Sequence, residues 1–183
     1  ALAGFGEIFF RNARQSGVIP QISVVMGPCA GGAVYSPAVT DFVVMVDEMA
    51  HMFVTGPQVI EAVTHERVDA ESLGGTRVHG ETSGVAHLTV PDEEAAFDQV
   101  RWLLSFLPPN NLASPPYIPT GDDPRRPTPE LAGIVPDHPQ QPYDVRKVVE
   151  ALVDEGAFLE VQPAYAQNLV VGFARMDGHP VGV

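Results

Sequence analysis

One cysteine, Cys29, among 183 residues excludes a disulfide framework within the chain and any zinc site built on several thiolates. Basic residues are scarce as well: ten Lys and Arg stand against 23 Asp and Glu, for a formal charge of −13. That balance opposes the phosphate neutralisation on which nucleic-acid binding depends. No apolar run approaches the roughly 20 residues that a bilayer-crossing helix needs, so neither nucleic acid nor a membrane is an expected partner. No basic segment leading into an apolar one, as in a targeting peptide, is present either. A reducing compartment, the cytoplasm or an organelle matrix, suits the cysteine usage. The histidines His51, His65, His79 and His87 are scattered without metal-ligand spacing, and no metal is expected.

What is present is a globular composition, with 45% hydrophobic residues and a mean hydropathy of +0.06, enough to bury a core. Residues 1–17 read as an amphipathic helix with Leu2, Phe5, Ile8 and Phe9 on one face. At the other end, Asn168 to Met176 reads as a strand, Asp177-Gly178 as a hairpin turn and Pro180 to Val183 as the start of a return strand. A hairpin without most of its second arm leaves an unpaired edge, so the chain reads as part of a longer one. Most of the eighteen prolines crowd into residues 108–142, which therefore read as an extended linker. It separates a first region, 1–107, from a second, 143–183.

Within the first region strands and helices alternate. Gln21 to Met26, Thr40 to Val46, His51 to Val54 and Gly84 to Val90 are short β-branched runs bounded by turn residues. Pro57 opens a helix running to Thr64, Asp69 to Leu73 is a short helix stopped by Gly74-Gly75, and Asp92 to Leu107 is a longer one with acidic residues in its first turn. The alternation predicts an α/β layer architecture with largely parallel strands.

The segment from Met26 to Ala38 leaves a buried strand through Gly31 and Gly32 and enters a short helix. Without side chains at the two glycines a ligand approaches the main chain closely, and amides at the start of a helix have no partner within it. Such donors suit an oxygen that gains negative charge during a reaction. Tight packing accounts for a glycine turn equally well, and both readings stand at this point. A phosphate loop is excluded, because no lysine follows the glycines. So is a serine-hydrolase elbow, because Ser36 precedes Pro37 and no G-x-S-x-G occurs.

The run Ser16 to Ser23, then Met26 to Ala38, resembles the carboxyltransferase β subunits of biotin-dependent acyl-CoA carboxylases. Met52-Phe53-Val54-Thr55-Gly56-Pro57, Leu73-Gly74-Gly75, Ser83 to His87, Leu107 to Asn111, Gln141 to Asp144 and Val171 to Arg175 carry the same resemblance in the same order. Val34-Tyr35-Ser36-Pro37 is closer to the propionyl-CoA or acetyl-CoA class than to the methylcrotonyl class. The resemblance implies a crotonase-like (ClpP/crotonase) α/β fold, with this chain spanning the end of one such domain, the linker and the opening of a second. It implies carboxyl transfer from carboxybiotin, carried on a partner subunit with biotin carboxylase and carrier functions, to the α-carbon of an acyl-CoA, in a hexamer of the full-length chain. The amides of Gly31, Gly32 and Ala33 would then stabilise the enolate oxygen, with Ala30, Tyr35, Thr55, Gly56 and Pro57 lining the thioester site. A second amide pair, for the biotin carbonyl, would fall after Val183.

Other readings use the same residues. Pro57 is a helix start on any reading, Tyr35 suits core packing as well as a ligand, and Cys29 suits a small buried side chain. Arg11, Arg14, Arg67 and Arg77 are either contacts for coenzyme A phosphates or members of surface ion pairs. A crotonase-type hydratase or hydrolase would need a carboxylate acid or base, for which Glu61 and Glu66 are the candidates. A non-catalytic structural segment is the third possibility.

Overall fold

The computed structural model describes residues 2–183. The expectations for Ala1 and for the side chain of Leu2 lie outside the described residues. Helix α1 (Leu2–Gln15) is followed by β1 (Ile22–Val25), β2 (Pro28–Ala30), a 3₁₀ turn (Gly31–Val34) and α2 (Tyr35–Ala38). Then come β3 (Phe42–Val46), β4 (His51–Phe53), α3 (Pro57–Thr64), α4 (Ala70–Gly74), a π turn (Val78–Thr82), β5 (Leu88–Val90) and α5 (Glu93–Leu104). Strands β1, β3 and β5 form one parallel sheet, with β3 central, and β2 pairs with β4, also parallel. The parallel α/β architecture is the one the alternation predicts.

Local chemistry explains the element ends. Asp92 accepts a hydrogen bond from the Ala95 amide at 2.8 Å, and Glu93 and Glu94 occupy the first turn of α5, where carboxylates offset its unpaired amides. Asp69 caps α4 in the same way through Ser72. Three differences from the sequence reading lie in this first region. The glycine-rich segment contains a strand, β2, before it turns. The Gly84–Val90 run pairs only over Leu88–Val90. The π turn just before it has no periodic signature of its own.

After the proline-rich stretch, which holds only the short α6 (Leu131–Ile134), come α7 (Val145–Leu152), β6 (Leu159–Val161), β7 (Val171–Met176) and β8 (His179–Gly182). The last three form an antiparallel sheet in the order β6-β7-β8. Asp177 and Gly178 both have positive φ, 53° and 75°, the signature of the two-residue hairpin expected there. Buried Asp154 receives the amides of both residues and the Thr120 hydroxyl, so its carboxylate has hydrogen-bond donors where water would otherwise be needed. Helix α7 and strand β6 had no clear signal because both are short and flanked by loop.

The antiparallel sheet does not stand apart. Leu159 belongs to the same buried cluster as Val44, Val46, Leu88, Val90, Ala96, Leu103 and Phe106. Phe173 stacks on Phe106 at 5.9 Å and meets Phe42 edge-on at 6.0 Å. Arg175 lies 4.4 Å over the Phe106 ring and donates to the carbonyl of Ser105 at the end of α5. Truncating a fully buried leucine such as Leu159 in a core of this kind costs about 2–5 kcal/mol.

His87 holds the early end of β3. Its Nδ1 accepts the Val43 amide at 3.0 Å while its own amide donates to the Val43 carbonyl at 2.9 Å. An accepting Nδ1 requires the neutral ring with its proton on Nε2. Around it lie the edge of Phe42, 5.4 Å between centroids, and the Gln162 amide on its carbonyl. No charged group contributes to its pKa shift: burial alone pushes the value below the ordinary 6.5. An unfolded histidine therefore takes its proton at higher pH than the folded one. The stability this bond contributes is complete above the unfolded value and is lost as pH falls through the folded one. Hydrogen exchange should show protection of the Val43 amide falling as the pH drops below 6.5. His87→Gln, which can accept through a carbonyl, should abolish that pH dependence.

Candidate functional site

Strands β2 and β4 run in register, Pro28 against His51, Cys29 against Met52 and Ala30 against Phe53. Because they are parallel, both chains leave at the same edge. The 3₁₀ turn Gly31–Val34 thus emerges beside the segment that follows β4, with Gly31 close to the Val54 carbonyl. In α/β folds the space outside the carboxyl ends of parallel strands is where ligands bind.

The three amides of the turn are not equivalent. His51 donates to the Gly27 carbonyl, and that phase of the ladder directs the Gly31 amide toward the carbonyl of Phe53. The i→i−3 pattern of a 3₁₀ turn beginning at Gly31 directs the Ala33 amide toward the carbonyl of Ala30. Gly32 is left as the one amide of the three that neither pattern uses, and no side chain caps the turn.

The two glycines also differ in what the backbone asks of them. Gly31 has φ +62°, a left-handed conformation that a side chain disfavours. Gly32 has no positive φ, and an added Cβ would meet only the ring of Phe5, at 3.6 Å, an ordinary contact. The backbone favours a glycine at 31 and not at 32.

The remaining expected residues surround the turn. Ala30 and Tyr35 are exposed, and Tyr35 meets the ring of Phe9 edge-on at 6.0 Å. Thr55 is exposed, while Gly56 and Pro57 are half-buried. Gly56 is the N-cap of α3 and its carbonyl accepts the amides of Val59 and Ile60, with Pro57 at the first helical position. Helix α3 buries none of its side chains and exposes Val59 and Val63.

A cavity of about 600 Å³ lies elsewhere, beyond the ends of β3 and β5, and is lined by Asp47, Glu48, Glu71, Arg77 and Glu81 among others. Four carboxylates against one guanidinium repel a polyphosphate or an enolate, so its size does not outweigh its charge. Asp47 there accepts the Thr76 hydroxyl in a short hydrogen bond. Arg11, Arg67 and Arg77 are held in exposed ion pairs with Glu7, Glu61 and Glu81, and Arg14 lies 5.6 Å over the Phe10 ring. Glu61 is thus engaged by Arg67 at 2.8 Å, and Glu66 stands exposed past the end of α3. Burial raises the Cys29 thiol pKa, the opposite of what an activated nucleophile needs. His51 faces Glu71 at 3.2 Å, and His79 lies between the Met52 carbonyl and the Ser83 hydroxyl. The His79 arrangement, which joins the π turn to β4, has no signal in the sequence.

These features define an α/β chain that presents a backbone amide at the carboxyl ends of parallel strands. The carboxyl transferase domain model matches residues 1–183, and the chain belongs to that family. It is 56% identical to the propionyl-CoA carboxylase carboxyltransferase subunit of Haloferax mediterranei, over all of this chain and 36% of that one. It is 55% identical to the methylmalonyl-CoA decarboxylase subunit alpha of Veillonella parvula, with the same coverage. The crystal structure of transcarboxylase 12S, a hexamer with hydrolysed methylmalonyl-coenzyme A bound, matches with a TM-score of 0.94 at 49% identity, over 99% of this chain and 36% of that one. The fold is thus the crotonase-like one that the resemblance implies, and the chain spans 36% of the length of these relatives.

The contrast between the glycines predicts that Gly31→Ala lowers stability by about 1–2 kcal/mol through its left-handed φ. Gly32→Ala should shift the denaturation midpoint little, as measured by urea titration of both variants in the full-length protein.

Proposed function

We propose that this chain forms the thioester side of a carboxyltransferase site, in which a full-length subunit moves a carboxyl group between carboxybiotin and the α-carbon of an acyl-CoA. The observation that carries the reading is Gly32, whose amide neither the β2–β4 ladder nor the 3₁₀ turn engages, at a position with no positive φ to call for glycine. A thioester carbonyl set against that amide accepts one hydrogen bond as substrate and a stronger one when the α-proton leaves and the oxygen becomes an enolate. Gly31 and Ala33 shape the turn, and Ala30, Tyr35, Thr55, Gly56 and Pro57 border the place where the acyl group lies. When bound, carboxybiotin supplies the carboxyl group and the base for the α-proton. The chain's own share is to hold the thioester and its oxygen in line.

The relatives support this reading across three reaction directions: a carboxylase subunit, a decarboxylase subunit and a transcarboxylase core. An acyl-CoA enolate is common to gaining, losing and exchanging a carboxyl group, so one amide serves all three. The 12S relative is a hexamer, and a homo-hexamer of the full-length chain, joined by a biotin-carrying α subunit, is part of the proposal. No helix among the described residues is long and apolar enough to cross a membrane. Acyl-CoA chemistry fits the cytoplasm, or the mitochondrial matrix in a eukaryote. A hydratase or hydrolase reading would need a free carboxylate by the turn, and Glu61 is engaged by Arg67.

The full-length chain with its biotinylated partner should carboxylate propionyl-CoA or acetyl-CoA in a biotin-dependent assay; hydration or hydrolysis without biotin overturns the proposal. Replacing the Gly32 N–H by an ester oxygen should lower kcat by about 10²–10³-fold, with the fold intact by circular dichroism.

A further inference from the structure

The turn is short and surface-lying, so something must hold the Gly32 amide at a fixed angle. Helix α1 lies behind it, with Phe5 stacked on Phe9 at 6.1 Å, Phe9 edge-on to Tyr35, and the Phe5 ring facing Gly32. On the same helix, Asn12 is half-buried while Arg11 and Ala13 on either side are exposed. All its side-chain polar atoms are engaged. Nδ2 donates to Gln21 Oε1 at 2.8 Å, and Oδ1 accepts the Ser36 hydroxyl at 2.9 Å. Gln21 returns a bond from Nε2 to the Asn12 carbonyl at 3.0 Å. The ring of two bonds fixes which end of each amide faces which.

Gln21 and Ser36 bracket the reactive segment. Gln21 immediately precedes β1, and its backbone is tied to Asp41 ahead of β3 by two hydrogen bonds, one to the carboxylate and one from the amide. Ser36 is the second residue of α2, just past the turn. It is helical although Pro37 follows it, and proline disfavours that conformation in the residue before it, so Ser36 needs an external hold. One side chain on α1 therefore clamps both ends of the strand, turn and helix that carry Gly32.

Resting on the proposed function above, we infer that Asn12 is a positioning residue for the enolate-stabilising amide, acting through Ser36 and Gln21 without touching substrate. A misplacement of about 1 Å in a reacting geometry costs on the order of 10²-fold in rate. Loosening this clamp therefore affects the transition state more than substrate binding.

The test uses the full-length subunit with its biotinylated partner, comparing wild type with Ser36→Ala, Asn12→Ala and the double variant. Ser36→Ala removes a single hydroxyl and leaves the rest of the clamp, so it serves if Asn12→Ala does not fold. Its kcat should fall about 10- to 100-fold with KM for acyl-CoA within about threefold. The double variant should be no slower than Asn12→Ala by more than about twofold, because the two residues share one bond. Unchanged kcat in Ser36→Ala, while the wild type carboxylates normally, overturns the role of Asn12 and leaves the function standing. A fall in kcat matched by a proportional loss of folded protein, or additive losses in the double variant, also overturns it. A wild type with no biotin-dependent carboxylation removes both the function and this inference.

Discussion

The parallel pairing of β2 with β4 is the constraint on which the site depends. Three residue pairs, from Pro28 with His51 to Ala30 with Phe53, decide that two turns distant in sequence emerge side by side. The same ladder takes the Gly31 amide for itself, as the next rung. A strand one residue shorter would free a different amide, because alternate backbone donors in a parallel ladder face opposite neighbours. Both the position of the site and the identity of its donor follow from where that ladder ends.

Much of this was legible beforehand. The β-branched runs bounded by glycine and proline fell on real strands, and the helices expected from Asp69 and Asp92 start there, each residue serving as the N-cap. The Asp177-Gly178 hairpin needed no tertiary information, since its two positive φ angles are a local property of that pair. What the sequence concealed depended on partners far along the chain. Strand β2 is three residues of Pro, Cys and Ala, which have no pattern until β4 lies alongside. His87 shortens β5 because its side chain takes the amide that a strand carbonyl would otherwise receive. Gly31 and Gly32 look alike in a string of letters, and only the backbone angles separate the one whose conformation favours glycine from the one whose does not.

Charge clarifies the site more than shape does. The roughly 600 Å³ cavity is acidic, while the candidate turn is uncharged and flanked by exposed apolar residues such as Val54, Val59 and Tyr35. A neutral surface suits an oxygen whose charge appears only during reaction, because a resident cation would bind the ground state as well and gain little rate. Of the four arginines considered for coenzyme A phosphates, Arg11, Arg67 and Arg77 pair with glutamates one helical turn or a short loop away.

Leu159 and Phe173, from one side of the proline-rich stretch, share a buried cluster with Val44, Leu103 and Phe106 from the other. Arg175 reaches across the same boundary to the carbonyl of Ser105. Proteolytic nicking between residues 108 and 142 would consequently leave two polypeptides gripping each other without a covalent bond, as complementing halves of one body rather than separable modules.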